Sequence, residues 1–409
     1  MMRWTGAVLM LGMLGATAMA AERAPARAKT ATHPARASGR VDQTRTSPQQ
    51  GPASAVEPHG YYVLAADTGT ELGAGDPDKQ WPPASMTKMM TVLLALEQVR
   101  AHKHSLTEPV HVSARAATTG GSQVYLKAGE TFSLGELLSA VMIPSANDAA
   151  VAVAEHLAGS TEAFVRRMNA RARGLGMTRT VYHSPNGLPP EQGKEPDLST
   201  ARDLAHLARR LMQFPEALQW SGTVEAPFRG GTFKMHNTNH LLTSFAGATG
   251  LKTGHYGAAG FSVTGTATRG DLTLVAVVLG APSHAGCFDI ARRLLGDAFD
   301  RYRVVVAARP GVSVGTVPVT GGAEGSVKAI PVGELRLVVP RADERQLVIE
   351  PRIPRSLFAP VLLQQQLGEV VVRRGDEALG RVKVVADAAV DSAGWLGWLW
   401  PGRFAQAAR

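Results

Sequence analysis

Trp81-Pro82-Pro83-Ala84-Ser85-Met86-Thr87-Lys88-Met89-Met90-Thr91-Val92-Leu93-Leu94-Ala95-Leu96 (residues 81–96) decides how the rest of the chain is read. Two prolines stop whatever precedes them. Met86, Met89, Met90, Leu93 and Leu96 then recur at helical spacing as far as about Val99, so the stretch reads as an apolar helix opened by Ser85. Three residues separate Ser85 from Lys88, which puts a hydroxyl and an ammonium on one face. A serine hydroxyl is a poor nucleophile until a base takes its proton, and a lysine kept neutral by burial and a nearby cation is such a base. Taken alone the signal is weak, because a helix N-cap followed by an exposed lysine has the same letters.

Working outward, Tyr61-Tyr62-Val63-Leu64 followed by Asp67-Thr68-Gly69 reads as a strand entering a turn. Downstream, Ser133-Leu134-Gly135-Glu136 is a capping box for a second helix that Pro144 ends, and a third helix starts at Asn147-Asp148. Helices follow at residues 160–173, with Gly174 as C-cap, and at 200–212, where Asp203 completes a Thr-x-x-Asp box. Residues 261–267 and 272–279, joined by Arg269-Gly270-Asp271, read as a β-hairpin, and residues 289–302 as a closing helix. The class is α+β: an antiparallel sheet flanked by helices, with a helical lobe, over residues 57–303. Beyond it, Val-rich runs such as Leu335-Arg336-Leu337-Val338-Val339 and Val370-Val371-Val372, separated by Gly and Pro turns, predict a small all-β domain over residues 304–388.

A chain of 409 residues with 44% hydrophobic and 19% charged residues has the composition of a globular protein of two or three domains. Its net charge of +9 invites a nucleic-acid reading, but position argues against one. Arg23, Arg27, Lys29, Arg36, Arg40 and Arg45 crowd into residues 21–56 against Glu22 and Asp42, and from residue 57 onward 36 bases face 32 acids. No basic face is left for nucleic acid. The single Cys287 excludes an internal disulfide and a cysteine metal cluster.

Met1 to Ala20 begins with Arg3, continues with an apolar run around Ala7 to Leu14 and ends Ala18-Met19-Ala20, the pattern of a cleaved signal peptide. Its run is well under the roughly 20 residues that span a bilayer. Residues 21–56 have almost no large apolar side chain and read as a disordered basic linker. Three of six tryptophans lie in Trp395-Leu396-Gly397-Trp398-Leu399-Trp400, so residues 389–409 read as an amphipathic tail for a lipid interface. An exported, periplasmic protein held peripherally at the inner membrane is expected.

Two further short motifs follow Ser-x-x-Lys: Ser145-Ala146-Asn147 at a helix–helix junction and Lys252-Thr253-Gly254 before the hairpin. A hydroxyl at such a junction can relay a proton, an amide can hold a carbonyl, and a glycine beside a strand lets a substrate approach its backbone. Lys252 supplies the second cation. In this order the three motifs resemble the penicillin-recognising serine transferases, and within them the low-molecular-mass penicillin-binding proteins that act as D-alanyl-D-alanine carboxypeptidases. Residues 83–91, 142–150, 250–255 and Asn237-Thr238-Asn239-His240-Leu241-Leu242 all look family-like.

The resemblance implies a peptidase whose Ser85 attacks the carbonyl between two terminal D-alanines of a peptidoglycan stem, with Lys88 as general base and Ser145 passing a proton to the leaving amine. Asn147 would hold the peptide amide, Lys252 and Thr253 the substrate carboxylate, and the backbone N–H groups of Ser85 and His255 the oxyanion. Gly254 would keep the strand edge open. β-Lactams would acylate the same serine, and no metal or organic cofactor is implied. The chain departs from the family pattern at Tyr256, where threonine is usual, at Ala146, where glycine is common, and at Cys287, near where several relatives carry a carboxylate-recruiting arginine. A β-lactamase would need a glutamate in a Glu-x-x-Leu-Asn setting, and none lies between Asn147 and Lys252. A DD-endopeptidase or a non-catalytic muropeptide binder would use the same residues; the sixty residues between the first two motifs leave no room for a large inserted domain, which favours the carboxypeptidase.

Overall fold

A computed structural model describes residues 57–394; the expected signal peptide and linker, and the expected tail from Trp395 onward, lie outside the described residues. β1 (Gly60–Ala65) and β2 (Glu71–Gly75) form the first hairpin. α1 (Lys88–Arg100) enters a helical lobe. There β3 (Pro109–His111) pairs with β4 (Thr131–Ser133) around the short α2 (Ala114–Ala117), and α3 (Leu134–Met142), α4 (Asn147–Ala158), α5 (Thr161–Gly174), α6 (Ala201–Leu211) and α7 (Pro215–Gly222) follow. A small hairpin of β5 (Glu225–Phe228) and β6 (Phe233–His236) and one turn, α8 (Leu241–Ser244), lead to β7 (Ala248–Tyr256), β8 (Gly260–Arg269), β9 (Leu272–Ala281) and α9 (His284–Arg301).

These strands make one antiparallel sheet in the order β2-β1-β9-β8-β7. Alternation along its strands divides the molecule into two cores. Tyr62, Leu64, Val275, Val277 and Leu279 join the helical lobe, whereas Val63, Ala65, Leu274, Ala276 and Val278 pack with Phe288, Ala291 and Leu295 of α9. Covered on both faces, the central strands are apolar runs, as burial on both sides requires. α1 is enclosed on every side, with Met89, Met90, Val92, Leu93, Leu94, Ala95 and Leu96 all buried, which holds the Ser85–Lys88 segment at the heart of the lobe.

Four boundaries differ from expectation. Ser85 does not open the α-helix: Ala84–Thr87 form a single 3-10 turn, with Ala84 at φ 48° and Met86 N–H bonded to Pro83 O at 3.1 Å, so the turn is closed by backbone and the serine hydroxyl is not spent as a cap. α5 keeps Gly174 as its last helical residue and is capped at Leu175, and the left-handed glycine that follows is Gly176 at φ 75°, two residues past the expected Gly174. Asp203 contributes its N–H to the Thr200 cap, but its carboxylate accepts from Thr180 Oγ1 and Arg179 N instead of returning to the cap. α9 begins at His284 under a Ser283 cap, five residues before the expected start, because Ser283 Oγ accepts the N–H of Gly286.

The C-terminal part is all β. β10 (Tyr302–Ala308) pairs with β13 (Leu335–Pro340). β11 (Gly315–Thr320), β12 (Ser326–Pro331), β14 (Leu347–Arg352), β15 (Leu357–Phe358), β16 (Gln366–Arg374) and β17 (Glu377–Ala386) form a six-stranded sheet in the order β14-β16-β17-β12-β11-β15 around Val317, Ala329, Val370, Val372 and Val384. The first residues of the expected tail belong to this core: Val390 bridges to Val361 and is buried. Among the described residues no helix is long and apolar enough to cross a membrane.

Candidate active site

Lys88, the first residue of α1, is fully buried, and its Nζ has three neighbours: Ser85 Oγ at 2.8 Å, Asn147 Oδ1 at 2.6 Å and Asn186 O at 2.7 Å. Two of these are carbonyl oxygens, which only accept. A neutral amine has two N–H donors and one lone pair, so the two carbonyls take the hydrogens and the lone pair is left facing the one partner that carries a proton, Ser85 Oγ–H. Burial and then the charge of Lys252 push Lys88 well below the ordinary lysine range, against the opposing pull of Asp197 and Asp148. Lys252, buried in β7 with Nζ 3.2 Å from Thr253 O, is itself lowered by burial to about 7.

Asn147 is the first residue of α4, and its Nδ2 donates to Gly120 O at 2.8 Å. Ser145 takes a left-handed φ of 67° just before that helix, and its buried Oγ makes no hydrogen bond among the described residues. Thr253 Oγ1 lies 2.6 Å from Thr238 Oγ1, and His255 stacks on Phe261 with ring centroids 4.0 Å apart. Gly254 has a further reason to lack a side chain. What approaches its Cα is Pro83 O, which an added Cβ would meet at 2.4 Å, so the missing side chain lets β7 pack against the nucleophile turn.

A cleft of about 260 Å³ joins Ser85, Ser145, Thr253, Gly254 and His255, while Lys88, Lys252 and Asn147 do not line it. Its far end is formed by His284, Cys287 and Phe288 of α9, with no arginine among the lining residues. Burial pushes the Cys287 thiol up to about 12, so it is neither nucleophile nor anion. Glu191 and Glu195 are exposed. A larger cleft of about 570 Å³, around Asp67, Arg209 and Thr249, contains none of these groups.

Four contributors escape a reading of the letters. Asn186 offers its backbone carbonyl, which no side-chain motif reveals. Asp197 accepts from Thr87 Oγ1 (2.7 Å), His183 N (2.6 Å), Ser184 N (3.0 Å) and Ser184 Oγ (3.0 Å), tying the 183–187 loop to the nucleophile turn. Burial raises its carboxyl against those bonds. Thr238 and His284 reach the cleft only through the tertiary fold, although Thr238 stands in a segment already marked as family-like.

A five-stranded antiparallel sheet packed against a helical lobe, with a cleft-facing serine hydrogen-bonded to a buried lysine where the lobe's first helix begins, defines an active-serine acyl-transfer enzyme. The chain belongs to the D-alanyl-D-alanine carboxypeptidase family, peptidase family S11: residues 44–283 match that family, and residues 307–392 match the C-terminal domain of penicillin-binding protein 5. It is similar to the D-alanyl-D-alanine carboxypeptidase DacF of Bacillus subtilis, with 31% identity over 82% of this chain and 87% of the relative. Penicillin-binding protein 5 from Haemophilus influenzae superposes with a TM-score of 0.70 at 26% identity, covering 82% of this chain and 98% of that one. Penicillin-binding protein D2 of Listeria monocytogenes, solved with ampicillin bound, matches at 32% identity and a TM-score of 0.55 over 61% of this chain and all of that one. The protein is a hydrolase of this family, a D-alanyl-D-alanine carboxypeptidase; the endopeptidase and binding-protein readings are not favoured.

Proposed function

We propose that Ser85 carries the acyl-enzyme and that Lys88 is its general base. The Ser85 proton passes to Lys88 Nζ as Oγ attacks the carbonyl carbon of the penultimate D-alanine of a peptidoglycan stem. The backbone N–H groups of Ser85 and His255 hold the oxyanion, and Asn147 orients the stem amide. Ser145 Oγ–H then gives its proton to the departing amine and regains one from Lys88; D-alanine leaves, and water, deprotonated by Lys88, hydrolyses the ester. Lys252 sets the field, while Thr253, with Thr238, receives the terminal carboxylate. A β-lactam opens on the same serine.

The observation that carries this reading is the set of three neighbours around the buried Lys88 Nζ, of which Ser85 Oγ alone carries a proton to give. Incubation with labelled penicillin followed by peptide mapping tests it. A single adduct on Ser85, lost in Ser85→Ala, is expected; an adduct elsewhere would contradict it.

Export to the periplasm follows from the reading of residues 1–20, and peripheral attachment to the inner membrane from that of the tail. The tail reading is supported by Phe358, Leu362 and Leu363, all exposed, flanking the Val361 that pairs with Val390 just before the chain runs on to Trp395.

A further inference from the structure

Away from the cleft, three side chains converge that no step of the reaction uses. His104 and Glu108 lie in the loop between α1 and β3, and His156 is in the last turn of α4. His104 Nδ1 and His156 Nε2 each lie 2.6 Å from one oxygen, Glu108 Oε1, and the three donor atoms all fall within 4.8 Å of one another. The positions are held independently of this contact. Glu108 O accepts Leu134 N–H at 3.0 Å, its second carboxylate oxygen accepts Ser105 N–H at 2.9 Å, and His156 is fixed by its helix. Each side chain is roughly one quarter exposed, which leaves an open side for water.

Two imidazole nitrogens and one carboxylate oxygen are a donor set for zinc and its neighbours in the first transition row, bound at about 2.0–2.2 Å with water completing the shell. We propose that His104 Nδ1, Glu108 Oε1 and His156 Nε2 bind a divalent transition metal, zinc foremost, that clamps the α1–β3 loop to the C-terminal turn of α4. On binding, each neutral imidazole turns its lone pair inward and carries its proton on the outer nitrogen, His104 Nε2 or His156 Nδ1. Glu108 Oε1 is already the shared acceptor of both rings, so the three donor atoms are gathered before any metal arrives. The clamp lies at the opposite end of α4 from Asn147, so it steadies the helix that presents the site without entering the chemistry.

The test titrates zinc into the full chain, stripped with a chelator and dialysed at neutral pH, by calorimetry and by thermal melting. One zinc per chain and a rise in Tm are expected. Glu108→Gln and His156→Gln should weaken binding by more than about tenfold and abolish the Tm rise, while labelled penicillin still acylates Ser85 and so reports the fold. Should His156→Gln fail to fold, His104→Gln in the loop gives the same readout. Cobalt substitution adds a visible d–d band, present in the parent and absent from the variants. No saturable zinc binding by the parent, or unchanged affinity in the variants, would overturn the proposal.

Discussion

Ser85 and Lys88 sit three residues apart, and that spacing alone separates neither a capped helix from a catalytic pair nor a charged lysine from a neutral one. Their surroundings do. A fully buried amine facing two carbonyl oxygens and one hydroxyl has a satisfied neutral state, and nearby Lys252 penalises the charged one. Ser145 shows the reverse: a buried hydroxyl with no partner among the described residues costs about 1–3 kcal/mol, a cost consistent with an atom kept free to move a proton. Ser145→Ala should therefore leave the melting temperature unchanged or raised, while slowing D-alanine release by about 100-fold. Loss of stability with full activity would reverse that assignment. Lys252 makes a pH prediction. Its folded-state value is depressed from 10.5 to about 7, so between those limits the unfolded chain holds the extra proton and stability rises with pH. Below pH 7 the full penalty of burying the charge applies. Lys252→Met should accordingly stabilise the protein at and below pH 7 by roughly 1–4 kcal/mol, and the gain should shrink as pH approaches 10.5. Melting curves across that range, with a pH-independent gain as the contrary outcome, decide it.

At the level of elements, the sheet and the lobe were legible because both faces of β1 and β9 and every side of α1 are covered, so each is an apolar run of strand or helix length. The Ser133–Glu136 capping box was legible because both reciprocal bonds form. The start of α1 was not, since the 3-10 turn depends on a left-handed Ala84 that only its neighbours in space impose. The same holds for Asn186 and Asp197, which reach the site from a proline-rich loop about 100 residues beyond Ser85 and without periodicity. Gly254 carried a readable letter with an unreadable reason, its contact being the backbone of Pro83. Gly254→Ala should cost about 1–3 kcal/mol and slow penicillin acylation at least tenfold by shifting the turn under Ser85. Gly73→Ala, where an added Cβ meets nothing within 4 Å, should do neither. Equal effects at both positions would show that the packing of β7 on the nucleophile turn is not what positions the serine.

Across the whole molecule, charge and composition assign the ends of the chain different work from its middle. The basic excess is densest before residue 57, and three of the six tryptophans lie after residue 394. Because Val390 is buried in the β-domain, the tail is separable only beyond Gly394. Deleting residues 395–409 should release the protein from membranes with its soluble activity intact; continued membrane fractionation of the truncated form would refute the interfacial anchor. Cys287 and the arginine-free end of the cleft bear on how firmly a terminal carboxylate is held, and not on whether Ser85 can be acylated.

The most direct test of the central claim is mass spectrometry of a muropeptide ending in D-Ala-D-Ala after incubation with the enzyme, beside a Ser85→Ala control. Loss of one terminal alanine with the enzyme and none with the control is the predicted result. No loss while penicillin still acylates Ser85, or equal loss with the control, would contradict a serine carboxypeptidase built on Ser85 and Lys88.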